Sequence, residues 1–242
     1  MACLAEHLGH YVSLTSAERA ALEGLTTGAR HYRRGAVVRP EHGPTGEIVV
    51  VEKGWLFSSA MLEDGRRQIV GLHFHGDLLG LDSLAFDTAP DAICALTDAA
   101  VCAIDRAKLG ELFVRHPRLG AVLFAAQQVD RVALTDRLVS LGRNPARGRV
   151  AALLLWMAGR LRLAGVPVDD GFVLPLTQEE IGDLTGLTAV HVNRTFRVLG
   201  EQGLIARSGT SLQILDPHRL ARAANYIPRR EAIDQNWLPA AE

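Results

Sequence analysis

Cysteine is scarce in this chain of 242 residues: Cys3, Cys94 and Cys102 are an odd number at unrelated spacings. Such a set indicates neither a disulfide framework nor a structural zinc site, and Cys94 and Cys102 sit among apolar neighbours as core residues do, with redox sensing as the other reading. No apolar run approaches the roughly 20 residues that a membrane span requires, and the N-terminus carries no signal-peptide pattern. The expectation is a cytoplasmic protein with no membrane partner. No convergent histidine and carboxylate set has credible metal spacing, and no serine or cysteine stands in a recognisable nucleophile turn. The chain is therefore expected to be no enzyme, with no metal and no cofactor. An overall excess of positive charge is missing too, since the formal net charge is −1.

What is present is 48% hydrophobic and 22% charged residues, the balance of a globular protein. The length has room for two cores, of about 140 and about 80 residues.

The richest stretch is 177–199, TQEEIGDLTGLTAVHVNRTFRVL. It reads as two short helices joined by a tight turn, the second with a polar outer face. Thr177 with Glu180 three residues later forms a capping box, and Gly182 is small where the second helix must pass closely. Gly186 suits a left-handed turn, Thr188 caps the second helix, Val192 faces inward and Gly203 ends the element. A helical hairpin buried in a core would show similar helices, but Leu204 to Arg207, a turn at Ser208-Gly209-Thr210 and Ser211 to Leu215 add a small hairpin. A winged helix-turn-helix has a use for that hairpin, and its partner would be double-stranded DNA.

Charge divides along the chain in keeping with this. Residues 143–222 hold ten arginines against seven carboxylates, whereas residues 1–142 hold fourteen basic and seventeen acidic side chains. Only the later part has the sign that phosphate neutralisation favours.

Upstream, 14–25 has helical periodicity and forms a leading helix, and 32–105 breaks into short β-type runs such as Ile48-Val-Val-Val and Ala100-Val-Cys-Ala-Ile. Gly43, Gly54, Gly65 and Gly76 recur every eleven residues, as turns between strands of near-equal length in a jelly-roll do. Pro117 suits the first turn of a helix running to about Leu141. On it Leu119, Val122, Leu123, Ala126, Val129 and Ala133 repeat at threes and fours, which fits the seam of a two-stranded parallel dimer, the alternative being that the stripe packs only on the chain's own β-domain. Gly142 is expected to break that helix, and Asn144-Pro145 to cap and start the next, at 146–163. The expected organisation is α+β: a β-roll over 1–116, a long dimerisation helix and hinge over 117–142, a winged helix-turn-helix over 143–225 and a loosely held tail over 226–242.

A leading helix, a glycine-punctuated roll, a long helix and a winged helix-turn-helix, in that order, resemble the CRP/FNR superfamily of bacterial transcription regulators. The motifs that carry the resemblance are Arg34-Gly35, Asp64-Gly65-Arg66-Arg67, Gly76-Asp77-Leu78-Leu79-Gly80, Ser140-Leu141-Gly142 and the stretch 176–205. It implies a homodimer reading an inverted repeat, one recognition helix per half-site, and RNA polymerase as a further partner where the protein activates. By position, base contacts fall on Ala189, Val190, Asn193 and Arg194, with Arg194 suited to grip guanine O6 and N7. Val190 departs from the glutamate that many members carry and is suited to a thymine methyl. His191 and Arg197 are placed for phosphate, as are Thr177, Gln178 and Thr188 at the helix starts.

Ligand motifs are where the resemblance departs. Cyclic-nucleotide members hold the ribose with a glutamate after a glycine and the phosphate with an Arg-Ser or Arg-Thr pair. Here Leu81 follows Gly80, and Ala89-Pro90 fall near the phosphate positions, so no cAMP response is expected. Three cysteines are one short of an iron–sulfur cluster. Haem is the remaining alternative, through His73 and His75 on a strand or Cys3, His7 and His10 on a helix, though each reads as readily as a solvated polar position. A β-roll ligand-binding protein without DNA activity is the alternative from another class.

Overall fold

The computed structural model describes residues 3–44, 47–229 and 234–240. Its architecture turns on the apolar run Ile48-Val-Val-Val. These residues open strand β3 (Ile48–Lys53), where successive side chains point to opposite faces. Val49 and Val51 join Leu56, Leu79, Ile93, Ala95, Ala99 and Val101 in one core cluster. Ile48 and Val50 face the other way, with Leu4, Leu8, Leu22, Ile104, Leu119 and Val122 in a second. A strand buried on both faces has no need of polar alternation, which is why the run reads as continuous.

Before β3 come helices α1 (Cys3–Gly9) and α2 (Ser16–Glu23) and strands β1 (Thr26–Tyr32) and β2 (Val37–Arg39). After it come β4 (Leu56–Met61), β5 (Arg67–His73), β6 (Leu78–Leu79), a 3-10 turn (Leu81–Leu84), β7 (Ala92–Ala95) and β8 (Ala99–Ile104). They form two four-stranded sheets, ordered β1-β8-β3-β6 and β2-β7-β4-β5. Such crossovers between sequence-distant strands make a jelly-roll. Of the four glycines at eleven-residue intervals, Gly54, Gly65 and Gly76 have φ of 80°, 82° and 84°, but at the first corner the left-handed residue is His42, at 58°. Sequence reading foresaw a single leading helix; α1 precedes it, a short helix burying Cys3, Leu4, Ala5 and Leu8.

Helix α3 (Arg106–Arg115) leads through His116 into α4 (Pro117–Arg143). Here the expected dimer stripe is corrected. Leu119, Val122, Leu123 and Ala126 lie in the protomer's own core, with Val129 packed against it, and Ala133 is half-buried. The apolar side chains that α4 leaves exposed are Phe124, Leu134, Leu138 and Val139. The helix also runs on through Gly142 instead of stopping there, and Pro145 is the N-cap of the next helix rather than its first residue. Asn144 is bound up in side-chain hydrogen bonds, donating to Ser140 Oγ (2.9 Å) and to the Ala224 carbonyl (2.7 Å).

By its contacts the chain forms two compact units, one holding residues up to Ala60, Gly71–Arg131 and the described residues after Arg229, the other Met61–Val70 with Val132–Arg229. The second unit is built around α5 (Ala146–Leu163). Val150, Leu154 and Met157 on this helix are fully buried, because α6 (Gln178–Thr185), α7 (Ala189–Glu201) and α8 (Pro217–Ala224) surround it. A three-stranded sheet ordered β10-β11-β9 completes it, from β9 (Phe172–Val173), β10 (Ile205–Ser208) and β11 (Ser211–Ile214). The tail is more engaged than foreseen: Arg229 makes a two-pronged ion pair with Asp136 (2.7 and 2.9 Å), and Leu238 packs on the first unit's core. Part of that tail, 230–233 and 241–242, lies outside the described residues.

One buried ion pair anchors the leading helices. Glu18 closes the capping box of α2, accepting from the Thr15 N–H at 2.9 Å, and also accepts from Arg118 Nη1 at 2.8 and 2.9 Å. Burial pushes the Glu18 carboxyl up, but the hydrogen bonds from Thr15 and Arg118 outweigh it and hold the group below its ordinary range. Removing either partner leaves the other charged and dry, so Arg118→Ala is expected to cost about 3–5 kcal/mol in denaturant unfolding. Because the folded carboxyl is the stronger acid, the pair's stabilisation is complete above the ordinary glutamate value of about 4.3 and declines as pH falls below it. Glu18→Gln is expected to flatten that acid limb.

Candidate nucleic-acid interface

Helix α6 starts with the foreseen capping box: Thr177 Oγ1 accepts from the Glu180 N–H (3.1 Å), and Glu180 accepts from the Thr177 N–H (2.7 Å). It ends at Gly186, in the left-handed region at φ 65°, ψ 37°. Thr188 then caps α7, accepting from the His191 N–H at 3.3 Å. The two helices meet closely at Gly182, where an added Cβ would lie 2.4 Å from the Leu187 carbonyl oxygen. That oxygen belongs to the turn itself and has nowhere to retreat.

The buried stripe of α7 is Val192, Thr195, Phe196 and Leu199. Thr195 has its hydroxyl satisfied within the helix, donating to the His191 carbonyl at 2.8 Å. The opposite face presents Val190, 81% exposed, with His191, Asn193, Arg194 and Arg197. Positions 190, 193, 194 and 197 fall three and four apart and so share one face. Arg194 has no ion-pair partner among the described residues, while Arg197 lies 3.7 Å from Glu201 in a solvated pair. Thr177 and Thr188 are exposed, and Gln178 and Ala189 half-buried, at the starts of α6 and α7. Each cap uses an oxygen lone pair of its threonine, which leaves the hydroxyl hydrogen for an outside acceptor.

Sequence reading missed Arg207, on the first strand of the wing. Its guanidinium lies 4.9 Å over the Phe196 ring, and its Nε donates to the Gly209 carbonyl at 3.2 Å. The contact fastens wing to recognition helix while leaving Arg207 exposed. A basic residue in a hairpin just after a helix-turn-helix is the signal that pointed to it.

The roll has its own recess, a polar cavity of about 180 Å³ lined by Arg39, Ser58, His73, Leu81, Asp82, Asp91 and Gln127 among others. Arg39 fills much of its chemistry, with Nη1 bridging both Asp82 oxygens (2.8 and 3.0 Å) and Nη2 on Asp91 (2.5 Å). Burial pushes the Asp91 carboxyl up despite this pairing, and nearby Asp82 adds to the rise. His73 contacts Ser58 Oγ at 3.1 Å, and His75, beyond the end of β5, reaches the Glu52 carbonyl and Glu6. His7 lies 3.7 Å from Asp77 and makes an edge contact with Tyr11; His10 falls outside α1. The structure does not gather these histidines with Cys3, and no group of three metal-binding side chains exists among the described residues. Cys3 and Cys102 are buried, which raises both thiol pKa values, that of Cys102 to about 11.

A glycine-cornered roll, a long helix and a capped helix-turn-helix with its wing define a DNA-binding regulator with a cyclic-nucleotide-type sensor roll. Residues 29–116 match the family model of the cyclic nucleotide-binding domain, and 148–223 that of the Crp-like helix-turn-helix domain. The nitrogen fixation regulation protein FixK of Bradyrhizobium diazoefficiens is 35% identical over 221 residues, 88% of either chain. The transcriptional activator protein Anr of Pseudomonas aeruginosa is 28% identical over 88% of this chain and 87% of its own. Among solved structures, FixK2 of Bradyrhizobium japonicum aligns with a TM-score of 0.74 at 29% identity, over 85% of this chain and all of that one. The chain belongs to the CRP/FNR family of transcriptional regulators.

Gly182 offers a local test of the motif. In an ordinary helix interior Gly→Ala gains about 1 kcal/mol. Here the Leu187 carbonyl reverses the sign, and Gly182→Ala is expected to lower stability by about 1–3 kcal/mol and to loosen α7. Thermal melting of the variant would disprove the tight crossing if it rose.

Proposed function

We propose that this regulator works as a homodimer on an inverted repeat in double-stranded DNA, with Arg194 as its main base-reading residue, and that it does not answer to cAMP. The observation that carries the reading is the exposed Arg194, without an ion-pair partner among the described residues, on a recognition helix whose opposite face is buried. A guanidinium so placed suits bidentate contact with guanine. Asn193 and Val190 stand beside it for adenine and thymine edges, and His191, Arg197, Gln178, Thr177 and Thr188 surround them at phosphate positions.

Dimerisation is supported by the face that α4 leaves uncovered. Phe124, Arg131 and Leu138 recur at seven-residue steps with Leu134 between, and Phe124, Leu134 and Leu138 are 63%, 56% and 68% exposed. Large exposed apolar side chains on one helix face, interrupted by Arg131, suit a parallel two-helix seam. It replaces the stripe expected from sequence.

Insensitivity to cAMP is supported by Asp82 and Asp91, which already neutralise Arg39 and leave the cavity an excess of negative charge. A cyclic phosphate entering it would meet carboxylates where it needs cations. The family acts on transcription, so we assign the chain no enzymatic activity, a cytoplasmic setting where the genome lies, and RNA polymerase as a partner wherever it activates. Control through Cys3 or Cys102 is disfavoured, because buried thiols with raised pKa values are poor nucleophiles.

Selection of bound fragments from the source genome by the full chain is expected to enrich a short inverted repeat. Arg194→Ala is expected to abolish the preference, a loss of about 1–3 kcal/mol per half-site, while leaving salt-sensitive residual affinity. Survival of specific binding in that variant would move the reading role elsewhere. Separately, Leu134→Glu with Leu138→Glu alters side chains exposed in the protomer, so folding is expected to persist. Sedimentation is expected to show monomer, with affinity for the full repeat down about 100-fold or more and half-site affinity unchanged; a dimer that persists places the interface on another face.

A further inference from the structure

The last four carbonyls of a helix have no partner inside it. In α6 these belong to Gly182, Asp183, Leu184 and Thr185. The first is met within the motif, by the N–H groups of Gly186 and Leu187. The other three are met by side chains from elsewhere: Gln68 Nε2 donates to the Asp183 carbonyl, Arg137 Nη2 to that of Leu184 (3.2 Å) and Arg149 Nη1 to that of Thr185 (3.3 Å).

Two of these donors converge on the hairpin tip Met61–Val70, which belongs to the same compact unit as the helix-turn-helix. Gln68 is part of it. Its neighbour Arg67 pairs with the Asp183 carboxylate, at 2.8 Å from Nε and 2.7 Å from Nη2. Arg137, on α4, also donates to the carbonyls of Val70 (2.8 Å) and Ile69 (2.5 Å), so one guanidinium ties strand β5 to the end of α6. Desolvation lowers the Arg137 pKa to about 10. A cation held by carbonyl dipoles alone is a costly arrangement, and what it provides is a fixed geometry.

We infer that the hairpin tip is a positioning element of the DNA-reading motif, with Arg67, Gln68 and Arg137 holding the carbonyl end of α6 and thereby the Gly186 turn that aims α7. The inference rests on the DNA-reading role proposed for α7 and extends it to residues far away in sequence. Displacing the tip removes one carbonyl cap and an ion pair at once, and takes from Arg137 the strand carbonyls that hold its guanidinium in place. The turn is then free to fluctuate, and binding DNA must supply the ordering that the hairpin had provided in advance.

The test uses the full chain, first without DNA. Arg67→Met combined with Gln68→Met keeps side-chain length and removes both donors. Hydrogen exchange of amides 186–191 is expected to speed up about tenfold, while amides of α5 keep wild-type rates. Affinity for the selected DNA site is expected to fall about fivefold to tenfold with an unchanged slope of log affinity against log salt. Wild-type exchange at 186–191 overturns the inference. So does a slope shallower by about one, which marks Arg67 as a direct phosphate contact. If the unaltered chain binds no specific site, the DNA-reading role fails, and the exchange measurement still decides whether the tip positions the turn. Should the double substitution unfold the chain, Asp183→Asn, which removes only the carboxylate, is expected to speed the same amides, and unchanged rates there overturn the inference.

Discussion

The second unit depends on one close approach, the Leu187 carbonyl against the α-carbon of Gly182. Only a glycine lets α6 and α7 come this near, since any Cβ would lie inside the oxygen's contact radius. From that contact the rest follows in order. The turn must reverse within a few residues, so Gly186 takes the left-handed conformation, Thr188 stops the extended backbone and starts α7, and Val192 and Leu199 are driven inward. Once the apolar stripe is buried, the helical period leaves Val190, Asn193, Arg194 and Arg197 facing out. The face that we propose reads DNA is thus a consequence of how the other face packs.

The charged groups in the interior show three different balances. Glu18 and Arg118 are fully paired and hydrogen-bonded, and their net effect is to lower a carboxyl's pKa, the sign of a favourable site for the ion. Asp91 has a cationic partner and yet is raised, because burial strips it of solvent and the neighbouring Asp82 carboxylate adds to the rise. Arg137 has dipoles in place of a counter-ion and is lowered. Only the first of the three stabilises the fold by its charges. The second shapes what the roll's cavity admits, and the third fixes a backbone geometry, so the protein spends stability where specificity is set.

What sequence made legible was whatever rests on neighbours along the chain. The capping box of α6, the turn at Gly186, the wing hairpin, the eleven-residue glycine rhythm and the start of α4 at Pro117 all depend on residues within a few positions, and each lies where the pattern placed it or one residue away. The failures share the opposite character. Gly142 breaks no helix because a single glycine costs too little to end it. The apolar stripe on α4 was correctly seen as buried, but periodicity does not say against what, and the roll claimed it. That the carbonyls of α6 are capped by Gln68 and Arg137 was invisible for the same reason: more than a hundred residues separate Gln68 from Asp183, and no local pattern announces such a pairing.

The modest positive charge of the DNA-binding part has a physical consequence for how reading must work. An excess of three charges over 143–222 neutralises few phosphates, so non-specific affinity of one protomer is small. Discrimination then rests on a few base contacts, each worth about 1–3 kcal/mol. A single half-site offers too little of either, and joining two on one rigid frame converts the second contact into an intramolecular one. That gain exists only if both recognition helices are already aimed, since a loose helix returns it as ordering entropy. A chain with weak electrostatic attraction therefore has the most to gain from a turn capped in advance, which is the condition that the side chains around α6 satisfy.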